Sequence, residues 1–386
     1  MSAIRIESCR VEEIPRLQTF IDTRWRKDHV LARDAALLTW QYDASRVRPL
    51  PPDELAILLA WDDEEIVGML GYLPFWLNVE GQRYPGAWLS QWLVAPEARS
   101  AGVGLRLLWA VKNRGFDAMF VLGFNENVQR IYASLQYEIL DDLPRWIGIV
   151  DYEAACGLME AAGGERAAVE AYGASFVLDG QAGTIPHPWT VRDWQDDWHE
   201  LWDAVWRRDL APYWTGGERD AAYLTWRYGR HPSFHYQLRG ALNPKSGRLR
   251  GLTVSRVEPI LGRQEKVLRV LEFLATPEAE AALAHDLIDL GRREGVCLID
   301  FYCSAARAAQ ALHTLGFRKS EPQDPRVVFP TRLQPMEPGH YKLRGAFWLT
   351  RSVRAQTGKL LARERFYVTK SDGDQDRPNQ ASGSSP

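Results

Sequence analysis

The chain has 386 residues, 46% hydrophobic and 25% charged, the balance of a globular protein long enough for two domains that each bury a core. Its formal net charge of −3 supplies no basic excess, which argues against nucleic acid and anionic membranes as partners. No run approaches the ~18 apolar residues needed to cross a bilayer, no apolar leader is visible, and Cys9, Cys156, Cys297 and Cys303 form neither a C-x-x-C pair nor zinc-finger spacing, so a cytoplasmic protein with reduced thiols and no metal is expected.

Residues 14–42 carry apolar side chains at mixed three and four spacings, broken near Arg24–His29, which predicts two short helices. Leu55–Trp61 and Ile66–Tyr72 flank an acidic turn and predict a hairpin. A separate strand is expected over Phe75–Val79, then a turn at Glu80–Gln82 and a return strand through Trp88–Val94. Leu105–Arg114 reads as a helix, Ala118–Phe124 as a buried strand, Val128–Leu135 as a helix, and Trp146–Val150 as the strand that closes the unit. The result is a mixed α/β plan with one crossover, and ligands favour the junction where such a strand feeds its helix.

Small residues between Ala154 and Gly180, followed by Pro186 and Pro188, suggest an interdomain connection. The plan then recurs, with helices up to Tyr228, strands at 234–238, 251–257 and 267–274, a helix at 279–293, a strand at 296–302 and a helix at 305–315. Beyond Glu337 a strand at Phe347–Thr350, a helix-like Val353–Arg363 and Phe366–Thr369 lead to a polar tail, Ser371–Pro386.

That recurrence is written into the residues. Asp34–Tyr42 reads DAALLTWQY and Asp220–Tyr228 reads DAAYLTWRY, identical at seven of nine positions. Upstream, Asp22–Asp28 is matched by Asp203–Asp209, 181 residues on. The period suits duplication of a whole domain. The division expected is 1–150, a linker region 151–185, a second domain 186–335, and a C-terminal extension with tail at 336–386.

Between the strand ending at Val94 and the helix near Leu105 stands Arg99-Ser100-Ala101-Gly102-Val103-Gly104. Two glycines there let the backbone approach a ligand and aim its N–H groups outward, while the helix adds its N-terminal dipole, a combination suited to a pyrophosphate. Downstream, Asn125 precedes Tyr132 by seven residues, and Gln136-Tyr137 follows.

These two segments, in this order after Val94-Ala95-Pro96, resemble the GNAT superfamily of acyl-CoA N-acyltransferases over roughly residues 1–150. The resemblance implies an α/β fold with a mixed sheet, built as two tandem GNAT-like domains. It also implies acyl-CoA, with acetyl-CoA the first expectation, as co-substrate, bound by Leu93, Val94, the Arg99–Gly104 backbone and Asn125, with Tyr132 as acid for the departing thiolate. Direct attack of an amine on a thioester needs a neutral amine, a polarised carbonyl and a proton donor, and no metal. Many members carry a carboxylate on the strand before the loop, but here Trp88-Leu89-Ser90-Gln91-Trp92 has none. Ser90 and Gln91 remain as anchors for a water relay or the acceptor, and Asp28, His29 and Glu97 as bases from elsewhere, each of which reads more simply as a surface or capping residue.

In the second copy, Leu274-Ala275-Thr276-Pro277 aligns with Leu93–Pro96, but Glu280 to Ala284 contains no glycine. The expectation is a retained fold without CoA binding that helps form an acceptor pocket. Sixteen tryptophans fit either core filling or sugar stacking; Trp40 and Trp226 are read as paired core residues before cleft walls. The acids of Ser371–Asn379 lack the glycine and distal glutamate of a calcium loop, so a solvated tail is expected, with a fold-back that offers carboxylates or Arg377 to the acceptor as the alternative. The function expected is acyl transfer to the primary amine of a small polar molecule, an amino sugar or nucleotide-linked amino sugar among the candidates. A CoA-binding module without turnover, and acylation of a protein or peptidoglycan-precursor amine, stand as alternatives.

Overall fold

The computed structural model describes residues 4–43, 47, 49–178 and 189–379. The first half supplies β1 (Arg5–Arg10), β2 (Glu54–Asp62), β3 (Glu65–Val79), β4 (Gln82–Val94), β5 (Ala118–Leu122), β6 (Glu138–Leu140) and β7 (Arg145–Ile149). After these come β8 (Thr190–Asp193), β9 (Thr215–Gly217), β10 (Gln237–Leu242), β11 (Leu249–Pro259), β12 (Lys266–Ala275), β13 (Leu298–Tyr302) and β14 (Arg318–Lys319). The C-terminal region adds β15 (Arg332–Leu333), β16 (Met336–Glu337), β17 (Gly345–Leu349) and β18 (Phe366–Tyr367).

Two mixed sheets carry the fold. The first runs β1-β2-β3-β4-β5-β17-β6, with β9 and β18 attached at β3, and the second runs β14-β7-β13-β12-β11-β10-β8. In each, one parallel pair interrupts antiparallel neighbours: β4 with β5, and β12 with β13. Helices Val103–Lys112 and Glu280–Glu294 make the crossovers between these pairs, which is the repeated plan in three dimensions.

The domain division needs correction. The strand expected to close the first unit, β7, pairs antiparallel with β13 of the second sheet, from Leu298↔Ile149 to Tyr302↔Arg145. In return β17, from the C-terminal extension, pairs with β5 and β6 of the first. Residues 1–150 and 186–335 therefore do not close on themselves, because each sheet borrows its penultimate strand from the other half. Alternation within a strand specifies which face is apolar but not which sheet receives it, so the pattern of Trp146–Val150 was compatible with either place. The small-residue stretch read as a linker is also structured: Tyr152–Ala161 and Arg166–Gly173 are helices, and Ala155, Cys156, Leu158, Met159 and Val169 are buried against Ile147 and Phe329. Pro186 and Pro188 lie outside the described residues.

A second difference concerns Pro74. Two strands were expected around it, yet β3 is continuous, and Pro74 pairs with Ala87. On the other edge β3 pairs with β2 only as far as Gly71 and with β9 only from Leu77, so the missing N–H of proline falls where no ladder partner waits. The turn after β3 has Glu80 at φ 51° and Gly81 at φ 91°, the double left-handed geometry that a two-residue hairpin prefers.

The repeated phrase lies at the centre of the molecule. Asp34 and Asp220 cap their helices identically, each accepting from the backbone N–H three residues on at 2.8 Å. Trp40 and Trp226 stack at 5.1 Å between ring centroids, and each indole N–H donates to the other's carbonyl, at 3.1 and 3.3 Å. The two copies thus meet about a pseudo-twofold, as paired packing tryptophans; such a ring pair contributes about 0.5–1.5 kcal/mol beyond burial.

The tail is not solvated over residues 371–376, and residues 380–386 lie outside those described. Ser371, Asp372, Asp374 and Asp376 are all buried. Arg219, itself buried, donates to Glu272 and to Asp372 at 2.7 Å each, and Glu272 also accepts from Tyr228, Tyr367 and Ser371. Arg227 holds the carbonyls of Ser371 and Asp376, while Arg256 pairs with the Asp376 carboxylate at 2.7 Å. Removing one member of such a network strands charge in the interior. Arg219→Met, which leaves Glu272 and Asp372 uncompensated, is expected to lower stability by ~3–5 kcal/mol in chemical denaturation. Gln136, at φ 66° where the second copy has Gly316 at φ 102°, ends its helix in a conformation that favours glycine. Gln136→Gly is expected to stabilise by about 1 kcal/mol and to raise the melting temperature.

Candidate active site

The site is built where β4 and β5 part. Their parallel ladder ends at Leu89↔Val121, leaving Ser90 to Val94 along an opening between the strands. Within it β4 carries a bulge: Gly71 faces Ser90 but Met69 faces Leu93, and Gln91 sits at φ 50°. A bulge of this kind bends the strand and re-aims its side chains.

At the end of β4 the chain makes a 3-10 turn, Pro96–Ala101, and enters helix Val103–Lys112 through Gly102 at φ 68°. A Cβ on Gly104 would come within 3.2 Å of the Trp92 ring, whose N–H donates to the Gly104 carbonyl at 3.1 Å. The Arg99 side chain turns back to the Val94 carbonyl at 3.2 Å, so at this loop the backbone is presented. Leu93, Val94, Arg99, Ser100, Ala101, Gly102, Val103 and Gly104 thus form one continuous strand, turn and helix start. Asn125 caps helix Glu126–Ser134, accepting from Val128 N–H at 3.0 Å.

That helix carries Tyr132, buried among Trp92, Phe124 and Tyr137 with ring centroids 5.7, 5.2 and 4.9 Å away. Burial pushes its phenol well above the ordinary range, so it keeps its proton at neutral pH. Ser90 hydrogen bonds to Tyr42 at 3.1 Å. Gln91 donates through Nε2 to Asp374 at 2.6 Å, and its Oε1 is buried without a partner. Asp374 also accepts from Gln375 at 2.7 Å and from the Arg377 guanidinium. The C-terminal strap thus brings a carboxylate to the bulge of a strand that has no acid of its own.

The three bases considered from elsewhere have other duties. Asp28 pairs with Arg33 at 2.6 Å and Glu97 with Arg24 at 3.1 Å, at exposed positions. His29 caps the next helix through Nδ1, and burial, with Arg377 and Arg26 nearby, lowers its imidazole to about 3. Alternating acids at 372, 374 and 376 were the sequence signal for the strap, but nothing local indicated which of them reaches the first half.

The second half repeats the geometry with a different filling. The β12–β13 ladder ends at Val270↔Phe301, and β12 bulges before Glu272, which occupies the position of Gln91 at the 181-residue offset already set by Pro96 and Pro277. Here the opening is occupied by the chain itself. Tyr367 OH accepts from Phe273 N–H at 3.0 Å, Val368 exchanges hydrogen bonds with Ser304, and Thr369 bridges to Cys303. The helix after β12 starts on buried Ala279, Ala282 and Leu283, with Glu280 held by Arg307 at 2.9 Å.

Between the halves lies a cleft of about 610 Å³. Gly123, Phe124 and Asn125 line it from the end of β5, residues 374–377 from the strap, and Arg256, Arg269 and Tyr302 from the second sheet. A smaller aromatic hollow of about 80 Å³ adjoins the strap at Asp372 and Gly373, walled by Phe75, Trp76, Trp88, Tyr223 and Trp226.

Residues 33–138 match the family model of the acetyltransferase (GNAT) domain. No curated protein matches the chain in sequence. Among solved structures, a probable N-acyltransferase of unknown function from Enterococcus faecalis V583 is similar at TM-score 0.54 and 13% identity, over 90% of this chain and 72% of that one. A GCN5-related N-acetyltransferase from Anabaena variabilis ATCC 29413 is similar at TM-score 0.56 and 12% identity, over 91% and 74%. Saccharomyces cerevisiae N-myristoyltransferase with bound myristoyl-CoA is similar at TM-score 0.52 and 10% identity, over 90% and 83%. At these identities the likeness is one of fold. Residues 33–138 are thus matched to the acetyltransferase (GNAT) domain, and the chain as a whole shares the fold of these solved acyltransferases.

Proposed function

We propose that the protein transfers an acyl group, acetyl in the first instance, from acyl-CoA to the amine of a small polar acceptor bound between its halves. The observation that carries this reading is the contact of Asp374 with Gln91 at 2.6 Å, which supplies a carboxylate beside the opening where the strand itself lacks one. Acyl-CoA would place its pyrophosphate on the N–H groups from Arg99 to Gly104 and its pantetheine arm along Leu93 and Val94, with Asn125 fixing the helix opposite. No side chain intrudes within 4 Å of a Cβ position at Gly102, so the loop has room for a ligand.

In the proposed reaction Asp374 binds the acceptor's ammonium and takes its proton, freeing the lone pair. The amine nitrogen attacks the thioester carbonyl carbon, the C–N bond forms, and the C–S bond breaks. The departing thiolate takes the Tyr132 proton, which burial has kept on the phenol, and the phenolate is reprotonated by the second proton that the nitrogen gives up as the amide forms. Gln91 orients Asp374, and its free Oε1 is available to an acceptor N–H. Ser90, fixed by Tyr42, borders the same face. An amino sugar or nucleotide-linked amino sugar would suit a polar cleft of this size beside an aromatic hollow.

Acetyl-CoA is expected to raise the melting temperature of the protein. Gly102→Val and Gly104→Val should each weaken that binding at least tenfold, and unaltered binding would remove the loop from the site. Asp374→Asn is expected to lower kcat by about 10²-fold or more, with acetyl-CoA affinity unchanged and Asp374→Glu partly active. Thiol release with a panel of amines reads this directly; CoA binding without release from any amine would favour a binding module.

A further inference from the structure

Resting on the acyl-transfer reading, we infer that the acceptor carries an anionic group, carboxylate or phosphate, as well as its amine, and that Lys370 in the lining of the cleft is the partner for that group. The cleft is lined by eight arginine and lysine side chains against four carboxylates, in a protein whose formal net charge is −3. Positive charge has therefore been concentrated here against the overall balance, and a concave wall focuses such a field on a bound ligand.

Most of these cations are already matched. Arg256 pairs with Asp376 and Glu258, Arg269 with Glu258 and Asp300, Arg332 with Glu337, Lys342 and Arg344 with Asp141, and Arg377 with Asp374. Lys370 and Arg26 are the exceptions, since neither has an ion-pair partner among the described residues. Arg26 lines the cleft from the first half. Lys370 lines the cleft, its ammonium 5.3 Å from the centroid of the Tyr302 ring.

The groups that face Lys370 are Arg269 and Glu258 from the second sheet, Asp300 and Tyr302 on β13, and Asp376 on the strap. Burial and the Arg269 charge lower its ammonium to about 7, against the opposing pull of Glu258, Asp300 and Asp376. A half-buried cation without a direct counter-ion carries a desolvation cost, and an anionic ligand would offset it. Lys370 follows directly on the segment that fills the second opening and precedes Asp374 by four residues. The strap would thereby present a cation for the acceptor's acid and a carboxylate for its amine.

The test has a binding arm and a turnover arm. With the CoA loop saturated by CoA, inorganic pyrophosphate is titrated by calorimetry at 150 mM salt, about one Debye length of 8 Å, so that loose surface attraction is screened. Wild type is expected to bind, more weakly as pH rises through about 7, with at least tenfold loss in Lys370→Met, partial recovery in Lys370→Arg and no change in the surface control Lys359→Met. In the turnover arm, thiol release from acetyl-CoA is compared between glucosamine and glucosamine 6-phosphate, and between β-alaninamide and β-alanine. The anionic member of one pair should be favoured at least tenfold in kcat/KM, the pair identifying phosphate or carboxylate, and Lys370→Met should erase the preference. Absence of pyrophosphate binding, equal binding by Lys370→Met, or equal use of neutral and anionic acceptors overturns the inference. Absence of all turnover with pyrophosphate binding intact counts against the acyl-transfer reading while leaving the anion site standing.

Discussion

The Arg219 guanidinium, buried and shared between Glu272 and Asp372, ties the C-terminal strap into the second sheet. Both carboxylates would be prohibitively placed without it, and the tyrosine and serine hydroxyls around Glu272 complete the satisfaction of its oxygens. This anchoring fixes the strap from Thr369 to Arg377, and the strap in turn fixes what faces β4 of the first half. The composition of the candidate site is thus decided by charges that lie in the other half of the molecule.

Duplication followed by division of labour accounts for the arrangement. Both halves retain a parallel strand pair that parts beside a bulge, and both keep a tyrosine of the repeated phrase near that bulge: Tyr42 on Ser90, Tyr228 on Glu272. In the second half the opening has been closed by Tyr367, Val368 and Thr369, and the acid at the bulge, Glu272, has become a structural anchor. In the first half the opening remains and the acid is absent from the strand, so Asp374 stands in its place. The exchange of β7 and β17 between the sheets makes the halves inseparable, as this sharing of duties requires. The one polar difference within the repeated phrase has a physical reading in the same terms, because Arg227, where the first copy has Gln41, holds two carbonyls of the strap.

Much of this was legible in the residues. Hydrophobic period placed most strands and helices near their observed positions, and the glycine pair at 102 and 104 with Asn125 and Tyr132 marked one end of the opening. The alignment that pairs Pro96 with Pro277 also pairs Gln91 with Glu272, so the displaced acid could have been read from the sequence. The strand exchange could not, since β7 and β17 are both short, largely buried apolar segments that satisfy either sheet. Nor could the burial of the strap, because Asp372 and Asp376 read as solvated acids until Arg219 and Arg256, 153 and 120 residues away, are seen beside them. Charge satisfaction over long sequence separation is the part of the fold that local pattern does not contain.

On the proposed reading, one opening is kept for the cofactor while the chain's own tail fills the other and delivers Asp374 to the first. A crystal structure of the protein with CoA tests it most directly. A single CoA per chain is expected, its pyrophosphate on the 99–104 loop and its sulfur between Tyr132 and Asp374, with residues 367–369 still seated between β12 and β13. CoA bound in the second opening with that segment displaced, or a sulfur remote from Asp374, would contradict it.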